Sequence, residues 1–568
     1  MAVENLITEH IDIWTSAVKT KSTSGRGSSK KLELYGIKKL RKLILELAVH
    51  GKLVPQDPND EPADILVQRI MAKKKELLVD GTFKNTKKSK VHDAIISAEE
   101  LPLGWVAADF GDITFNLDAQ RIPLSVSERK GRQGIYDYYG ASGVIDSIDA
   151  YLFDKPLLLI GEDGANLVNR STPIAFMARG KYWVNNHAHV IDGISEDFLI
   201  YLSLYINSIS LIPYITGMAQ PKMNQAKMNS ILVLLPPEKE QHRIVAKVDE
   251  LMALCDQLEQ QTEDSIEAHQ VLVTTLLDTL TNSADADELM QNWARISEHF
   301  DTLFTTEESI DQLKQTILQL AVMGKLVPQD PSDEPAAELL KRIAEEKAQL
   351  VKEKKIKKEK ALPLISEDEK PFELPSGWEW CRLPDLGELA RGKSKHRPRN
   401  DPKLYENGNI PLVQTGDVAR ANGTILTYTA KYNEFGLAQS QLWPKGTLCI
   451  TIAANIADTA TLGFDACFPD SVVGYTPYDK EIPTVYFDYF IKTAKENLER
   501  FAPSTAQKNI NLEILSNVLV PCPPMQQFPR IVKKVNLLLG ICDELKERLK
   551  ESQMSQLQLT DAIVEQAV

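Results

Sequence analysis

A stretch of 31 residues occurs twice in this chain. LRKLILELAVHGKLVPQDPNDEPADILVQRI (40–70) returns as LKQTILQLAVMGKLVPQDPSDEPAAELLKRI (313–343), with 21 identities at an offset of 273. LPLGW (101–105) returns as LPSGW (374–378) at the same offset. Further on, AQPKMN (219–224) answers to AQKNIN (506–511), and PPEKEQHRIVAKVDELMALCDQL (236–258) to PPMQQFPRIVKKVNLLLGICDEL (523–545). There the offset is 287, so the second half gains 287 − 273 = 14 residues between its Trp and its Pro-Pro. Between the matched blocks, roughly 106–218 and 379–505, little similarity remains. A period this long excludes a solenoid. The chain reads as one framework written twice around two unlike inserts, which suggests a pseudo-twofold scaffold presenting two binding surfaces.

The framework has its own pattern. After each Pro-Pro a helix is predicted, because Pro favours helix starts and apolar spacing follows at once. Ile244, Val248, Leu251, Cys255 and Leu258 form a heptad seam, extended through Thr262, Ser265 and His269 to Leu272 and Leu276. The second copy has Ile531, Val535, Leu538, Cys542, Leu545, Leu549, Ser552, Gln556, Leu559 and Ile563. A seam of this length predicts a coiled coil, and pseudo-twofold symmetry predicts that its two helices run antiparallel. GKLVPQDPxDEPA reads as a turn-rich clasp: Gly51 and Gly324 end a helix, and a new one starts near Glu61 and Glu334. The lysine runs 73–75, 84–90 and 352–360 read as solvated faces or linkers. The acidic stretch 285–311 suits a protein partner better than DNA.

Composition bounds the function. The 568 residues are 43% hydrophobic, ordinary for a soluble globular chain. Six scattered cysteines without a CxxC pair fit a reducing cytosol and argue against a zinc knuckle. No apolar run is long enough to span a membrane, and the N-terminus does not read as a signal peptide. A net charge of −14 excludes a uniformly basic surface but not local basic patches.

Several motifs suggest chemistry and fail on context. Residues 387–394, GELARGKS, match GxxxxGK[ST] literally. A phosphate loop needs a helix leading out, and SKHRPRNDPK cannot start one. Asp385 with Asp401 and Lys403 imitates a PD…DxK nuclease, but a proline lies between Asp401 and Lys403. There is no NPPY or DPPY, so no amino-methyltransferase site is found. His187 and His189 alternate along a strand without a third ligand and read as packed or hydrogen-bonded. The better reading of the second insert is a basic loop: Arg391, Lys393, Lys395, Arg397 and Arg399 form a footprint for phosphate contact. Both inserts otherwise mix short strands with functional turns, where amides and hydroxyls suit base edges and basic side chains suit phosphates. Candidates in the first insert are Arg129, Lys130, Arg132, Tyr138, Tyr139, Ser142, Asn166, Arg170, Gln220, Lys222 and Asn224. Those in the second, beyond the basic loop, are Gln414, Thr415, Gln507, Lys508, Asn509 and Asn511.

Two inserts, each closed by AQ…N, Pro-Pro, RIV and a heptad helix, resemble the specificity subunit of a type I restriction–modification enzyme. IPLVQTGD, YYGASG and LLLIGEDGAN are similar to stretches within that family's target-recognition domains, and the long N-terminal section resembles its longer-chained branch. The resemblance implies an α/β (α+β) fold with two target-recognition domains separated by antiparallel coiled-coil helices. The segments would be an N-terminal helical region (1–100), a first target-recognition domain (101–235), a central helical region (236–373), a second target-recognition domain (374–522) and a C-terminal helix (523–568). It implies a non-catalytic, cytoplasmic subunit whose two domains each read half of a split site in double-stranded DNA. Two modification subunits binding S-adenosylmethionine, and two restriction subunits using ATP and magnesium, would be its partners. No cofactor or metal is expected on this chain. The readings left beside it are a stand-alone P-loop NTPase or nuclease using 387–394 or Asp385, which would turn over ATP or DNA unaided, and an assembly adaptor without DNA contact.

Overall fold

The computed structural model describes residues 3–21, 31–79, 101–217, 220–284, 286–354, 356, 362–453, 455–500 and 510–567. They form two compact units, one of residues 1–265 with 552–568 and one of 266–551. The lysine run 84–90 lies outside the described residues, as do Lys355 and 357–360 of the third run.

Four helices carry the framework: α1 (Tyr35–Val49), α2 (Glu238–Asn282), α3 (Glu307–Val322) and α4 (Gln527–Ala567). At ~1.5 Å per residue, α2 is about 68 Å long. In the first unit α1 meets the first half of α2 and the last turns of α4. Arg41 pairs with Asp256 at 2.6 Å and Glu259 at 2.7 Å, while Lys39 and Tyr35 hold Asp561 at 2.6 and 2.8 Å. In the second unit α3 meets the first half of α4 and the second half of α2. Lys314 pairs with Asp543, Lys546 with Asp311 at 2.8 Å, and Gln270 donates to Glu308 at 2.6 Å. In each unit the beginning of one long helix lies with the end of the other, which is the antiparallel arrangement. Asp311 and Glu308, expected to serve a protein partner, are spent on these contacts.

At two equivalent positions the signs are exchanged. Lys38 and Glu259 in one copy correspond to Asp311 and Lys546 in the other. Seating α3 in the place of α1 would set Asp311 beside Glu259, and the converse would set Lys38 beside Lys546. Each short helix is matched to its own site by charge, because like charges brought together disfavour the wrong partner.

The seam departs from the heptad expectation. Ile244, Val248, Leu251, Cys255 and Leu258 are buried as expected. Beyond them the buried positions are Val273, Leu277 and Leu280, whereas Leu272 is 49% exposed. The second copy shifts at the equivalent place: Thr560 is buried and Leu559 is 51% exposed. The inward positions run 244, 248, 251, 255, 258, 262, 266, 269, 273, 277 and 280, so ten steps cover 280 − 244 = 36 residues. That averages to the α-helix's own period of ~3.6, a heptad half followed by an eleven-residue rhythm. The polar stretch 262–270 has too little apolar surface to enforce supercoiling, so the stripe follows the straight helix. Cys255 and Cys542 lie in the seam, and burial pushes their thiols up to about 11.

Each insert begins and ends in one two-stranded ribbon. β1 (Val106–Asp109) pairs antiparallel with β2 (Leu232–Leu235), and β3 (Glu379–Arg382) with β4 (Leu519–Cys522). A clasp sits under each ribbon. Trp105 donates its indole N–H to Glu240 at 3.1 Å, and Gln56 donates to the same carboxylate at 3.2 Å. In the second copy Trp378 donates to Gln329 and Gln527, at 2.9 and 3.1 Å. Gly51 and Gly324 adopt φ of 69° and 72°. A Cβ there would meet Pro102 at 2.5 Å or Pro375 at 2.7 Å, so the clasp admits only glycine. The helices after it start at Ala63 and Ala336, two residues later than expected, because Pro62 and Pro335 precede them. Lysines from these helices reach the inserts: Lys74 donates to the Thr114 carbonyl and Lys347 to that of Pro384, at 3.0 and 2.8 Å.

The first insert folds as two four-stranded sheets. One orders Phe115–Asn116, Ala188–Asp192, Leu157–Gly161 and Ala175–Ala178, and the other Gly143–Ile148, Gln133–Gly140, Lys181–Val184 and Phe153–Asp154. The second insert has a five-stranded sheet, running from Gly387–Arg391 through Val472–Pro477 to Leu448–Thr451, Thr459–Leu462 and Thr424–Ile425, and a four-stranded one.

The two clasps differ at one atom pair, a carboxylate in Glu240 and an amide in Gln527. Burial raises the Glu240 pKa, so its contribution to stability is full below the ordinary glutamate range of ~4.3 and is lost as pH rises through the raised value. Glu240→Gln keeps an acceptor for Trp105, and a rotated Gln56 amide can accept the new N–H. The melting-temperature difference between this variant and wild type should therefore favour the variant more at about pH 8 than at about pH 5. Thermal melts at the two pH values check this.

Candidate nucleic-acid interface

In the second insert, strand Gly387–Arg391 pairs with Val472–Pro477 and runs directly into the basic segment. Arg391, Lys393, Lys395, Arg397 and Arg399 are exposed, while Gly392 and Ser394 between them are buried. From Arg391 to Lys395 the alternation is that of extended chain, which advances ~3.3 Å per residue, so Arg391, Lys393 and Lys395 stand ~6.6 Å apart, while the chain bends and turns from His396 on. One strand of DNA carries a phosphate every ~3.4 Å of axis, which gives one cation for every second phosphate. The ridge is anchored from behind. Gln439 accepts the Lys395 and His396 amides at 2.6 and 3.1 Å, and Ser440 donates to the Lys393 carbonyl at 2.9 Å.

The five cations are not equivalent. Arg399 grips both oxygens of Asp470 at 2.7 and 2.8 Å, and Arg391 donates to the Asp470 carbonyl. Arg397 turns back onto the Ser394 and His396 carbonyls at 2.6 and 2.8 Å. Lys393 and Lys395 carry no ion pair among the described residues. Gln414 is exposed, at the start of helix Thr415–Arg420, with its backbone N–H held by Asp417 at 2.9 Å. Thr415 is the first residue of that helix.

No phosphate loop forms from the GxxxxGK[ST] match. Its first five residues are a paired strand, and the segment after Ser394 bends without a helix before the short 3₁₀ turn Pro402–Leu404. Asp385 caps its own turn by accepting the Arg382 amide at 2.8 Å, and Asp401 binds His396 at 2.8 Å. Among the described residues no cluster of His, Cys, Asp or Glu suits a metal ion.

In the first insert, several expected contacts turn inward. Tyr138 is fully buried, so it cannot touch a base; its ring is core. Arg129 pairs with Asp146 at 3.0 Å and lies over the Tyr138 ring at 4.9 Å. Arg132 pairs with Asp149 at 2.9 Å and lies over Trp183 at 4.9 Å. Both arginines brace the hairpin and are not free for phosphate. Arg170 has φ 49° and donates to the carbonyls of Ile206 and Ile209, at 3.4 and 2.9 Å, closing the C-terminal end of helix Glu196–Ser208. Asn166 closes its own loop on Thr172 at 3.1 Å, and Tyr139 stacks on Phe176. Ser142, at the hairpin tip, and Lys130 are exposed.

The repeated AQ…N block has a structural reason. Asn224 caps helix Gln225–Met228 by accepting the Lys227 amide at 3.0 Å, and Asn511 caps Leu512–Asn517 by accepting that of Ile514 at 2.8 Å. Gln220 is exposed, and Lys222 pairs with Glu162 at 3.1 Å. Gln507, Lys508 and Asn509 lie outside the described residues.

Asp470 was not legible as part of the site, because it lies 79 residues from Arg391 with no pattern linking them. Asp470→Asn should release Arg399 and remove one negative charge beside the ridge. The expected result is tighter duplex binding, with a salt slope steeper by about one unit. Titration against salt concentration checks it, and an unchanged slope would mean that Arg399 never reaches phosphate.

The family model for the type I restriction modification DNA specificity domain matches residues 102–268 and 375–552. The Escherichia coli type I restriction enzyme EcoAI specificity subunit is 39% identical over 606 aligned positions, covering 100% of both chains. The EcoEI specificity subunit of the same organism is 38% identical with the same coverage. The HsdS subunit from Thermoanaerobacter tengcongensis, a solved structure, is 16% identical with a TM-score of 0.40, covering 82% of this chain and 97% of that one.

Proposed function

The chain belongs to the type I restriction–modification DNA specificity family, and from that premise we propose how its parts divide the work. The chain is the subunit that chooses the DNA sequence. Each insert reads one half of a bipartite site, and the long helices set the unread spacer. The observation that carries this is the repetition of neck, clasp and helix around two unlike inserts: one holder presents two different readers.

Within each reader, amides and hydroxyls such as Ser142, Gln220 and Gln414 suit base edges. Lys393 and Lys395, with Lys130 in the other half, supply phosphate contacts without sequence information. The framework docks the catalytic subunits: two modification subunits with S-adenosylmethionine, and two restriction subunits with ATP and magnesium. The chain itself supplies no catalytic group, so purified chain should turn over neither ATP nor plasmid DNA.

The experiment is an insert exchange. Replacing residues 110–231 with the corresponding segment of a relative, and mapping methyladenine across the host genome, should change one half of the methylated motif and leave the other half and the spacer unaltered. A change in both halves would mean that the inserts do not read independently.

The spacer has its own test. Four residues inserted into α2 within 262–270 add ~6 Å, close to two base pairs at ~3.4 Å each. The seam there is polar, and four residues nearly restore the helical face. The unread spacer should lengthen by one or two base pairs with both half-sites kept. An active enzyme with the original spacer would show that the helices are not the ruler.

A further inference from the structure

His189 lies in strand Ala188–Asp192 and is 1% exposed. Its Nδ1 is 2.6 Å from the Asp118 carboxylate and its Nε2 is 2.9 Å from the Met223 carbonyl oxygen. A carbonyl can only accept. Asp118 is also held as an acceptor, by the Val190 amide at 2.8 Å and the Asn116 side chain at 3.1 Å. Both ring nitrogens must therefore donate, and a histidine that donates twice is an imidazolium.

The Met223 carbonyl belongs to the segment 220–224, which returns to Thr216. Thr216 and Lys222 exchange backbone hydrogen bonds at 2.9 and 2.8 Å, and the Met223 amide donates to the Glu162 carbonyl at 2.8 Å. The segment is thus fastened to the sheet at Met223, through its N–H by Glu162 and through its carbonyl by His189. It presents Gln220, which the proposed function assigns to a base edge of the first DNA half-site.

The charged groups around His189 come from three elements. Asp118 and Arg121 lie on the turn Asp118–Gln120 and just after it, Glu162 follows strand Leu157–Gly161, and Lys222 is on the segment itself. Arg121 donates to Glu162 at 2.9 Å and to the Ala188 carbonyl at 2.7 Å, and Lys222 pairs with Glu162 at 3.1 Å. Glu162 stands 3.9 Å from the His189 ring. Asp163 is taken up by the exposed His187 at 2.8 Å.

We propose that His189 is a buried imidazolium at neutral pH whose two N–H groups latch the 220–224 segment to the first insert and so position Gln220 for DNA. His189 is a positioning residue, since it touches no DNA itself. Its raised pKa, owed to the Asp118 hydrogen bond and charge against the cost of burial, agrees with the geometry. The sign follows: the latch is complete below the ordinary histidine value of ~6.5 and is lost as pH rises through the raised one. The DNA consequence rests on the proposed function; the latch does not.

The test uses the full chain labelled with ¹⁵N-histidine, and hydrogen exchange of the 220–224 segment across a pH series. The ring nitrogens of His189, assigned with His189→Gln, should both be protonated at neutral pH. Protection of 220–224, corrected for intrinsic exchange, should then fall by up to about tenfold per pH unit above the midpoint, as one linked proton requires. Asp118→Asn still accepts a hydrogen bond but carries no charge, so the midpoint should move down by at least one unit, a shift that packing alone would not produce. A neutral His189 ring near pH 6, or protection indifferent to both pH and Asp118→Asn, overturns the latch. In a second arm, the chain binds a duplex carrying the motif mapped in cells. Affinity that follows the same midpoint supports the positioning role, and a flat affinity beside a titrating segment overturns that role alone.

Discussion

Everything variable in this molecule hangs from an indole N–H. Trp105 and Trp378 stand one residue before their inserts begin, and Glu240 and Gln527, their acceptors, stand in the first turn of the long helices. One buried hydrogen bond therefore ties the start of an insert to the helix that follows its end. The Gly51 and Gly324 turns close over the same indoles. Breaking this contact would leave a buried acceptor unpaired, which costs more than the bond's net worth. Its double occurrence keeps both inserts in the same relation to their helices.

The framework was legible in the sequence because its constraints are local and written twice. A glycine beyond a helix, a proline after it and an apolar step of three or four each state a geometry. The heptad reading failed only where the polar stretch gave it nothing to follow, so that Val273 replaced Leu272 inside and Leu277 lies deeper than Leu276. The inserts were harder to read. Arg129, Arg132 and Arg170 have the residue type that suits phosphate, but their partners Asp146, Asp149 and the Ile209 carbonyl lie 17 to 39 residues away in sequence. Residue type gives a side chain's chemistry, while its availability depends on pairings that only folding reveals. For the same reason the His187/His189 pattern was visible and the Asp118 and Met223 partners were not.

A net charge of −14 sits oddly with a chain that meets DNA. Some of the acid has work within the fold, paired there with the chain's own cations, so the excess stays on the rest of the chain: Asp256, Glu259, Asp543 and Asp311 hold short helices to long ones, and Asp470 holds two arginines of the ridge. Exposed pairs of this kind contribute little stability each. Their greater effect is on choice, because the sign exchange between Glu259 and Lys546 distinguishes two otherwise similar sites.

The neck ribbons have a consequence for chain entropy. Residues 110–231 leave and return through adjacent strands, and so do 383–518, segments of 122 and 136 residues. Joining the ends of a flexible segment costs an entropy that grows only with the logarithm of its length, so the 14 extra residues of the second add about 0.1 kcal/mol. Ring closure is thus almost blind to what the ring contains. A segment of different length or fold can occupy the same neck at nearly the same cost, provided that its two ends arrive side by side and it folds on its own core.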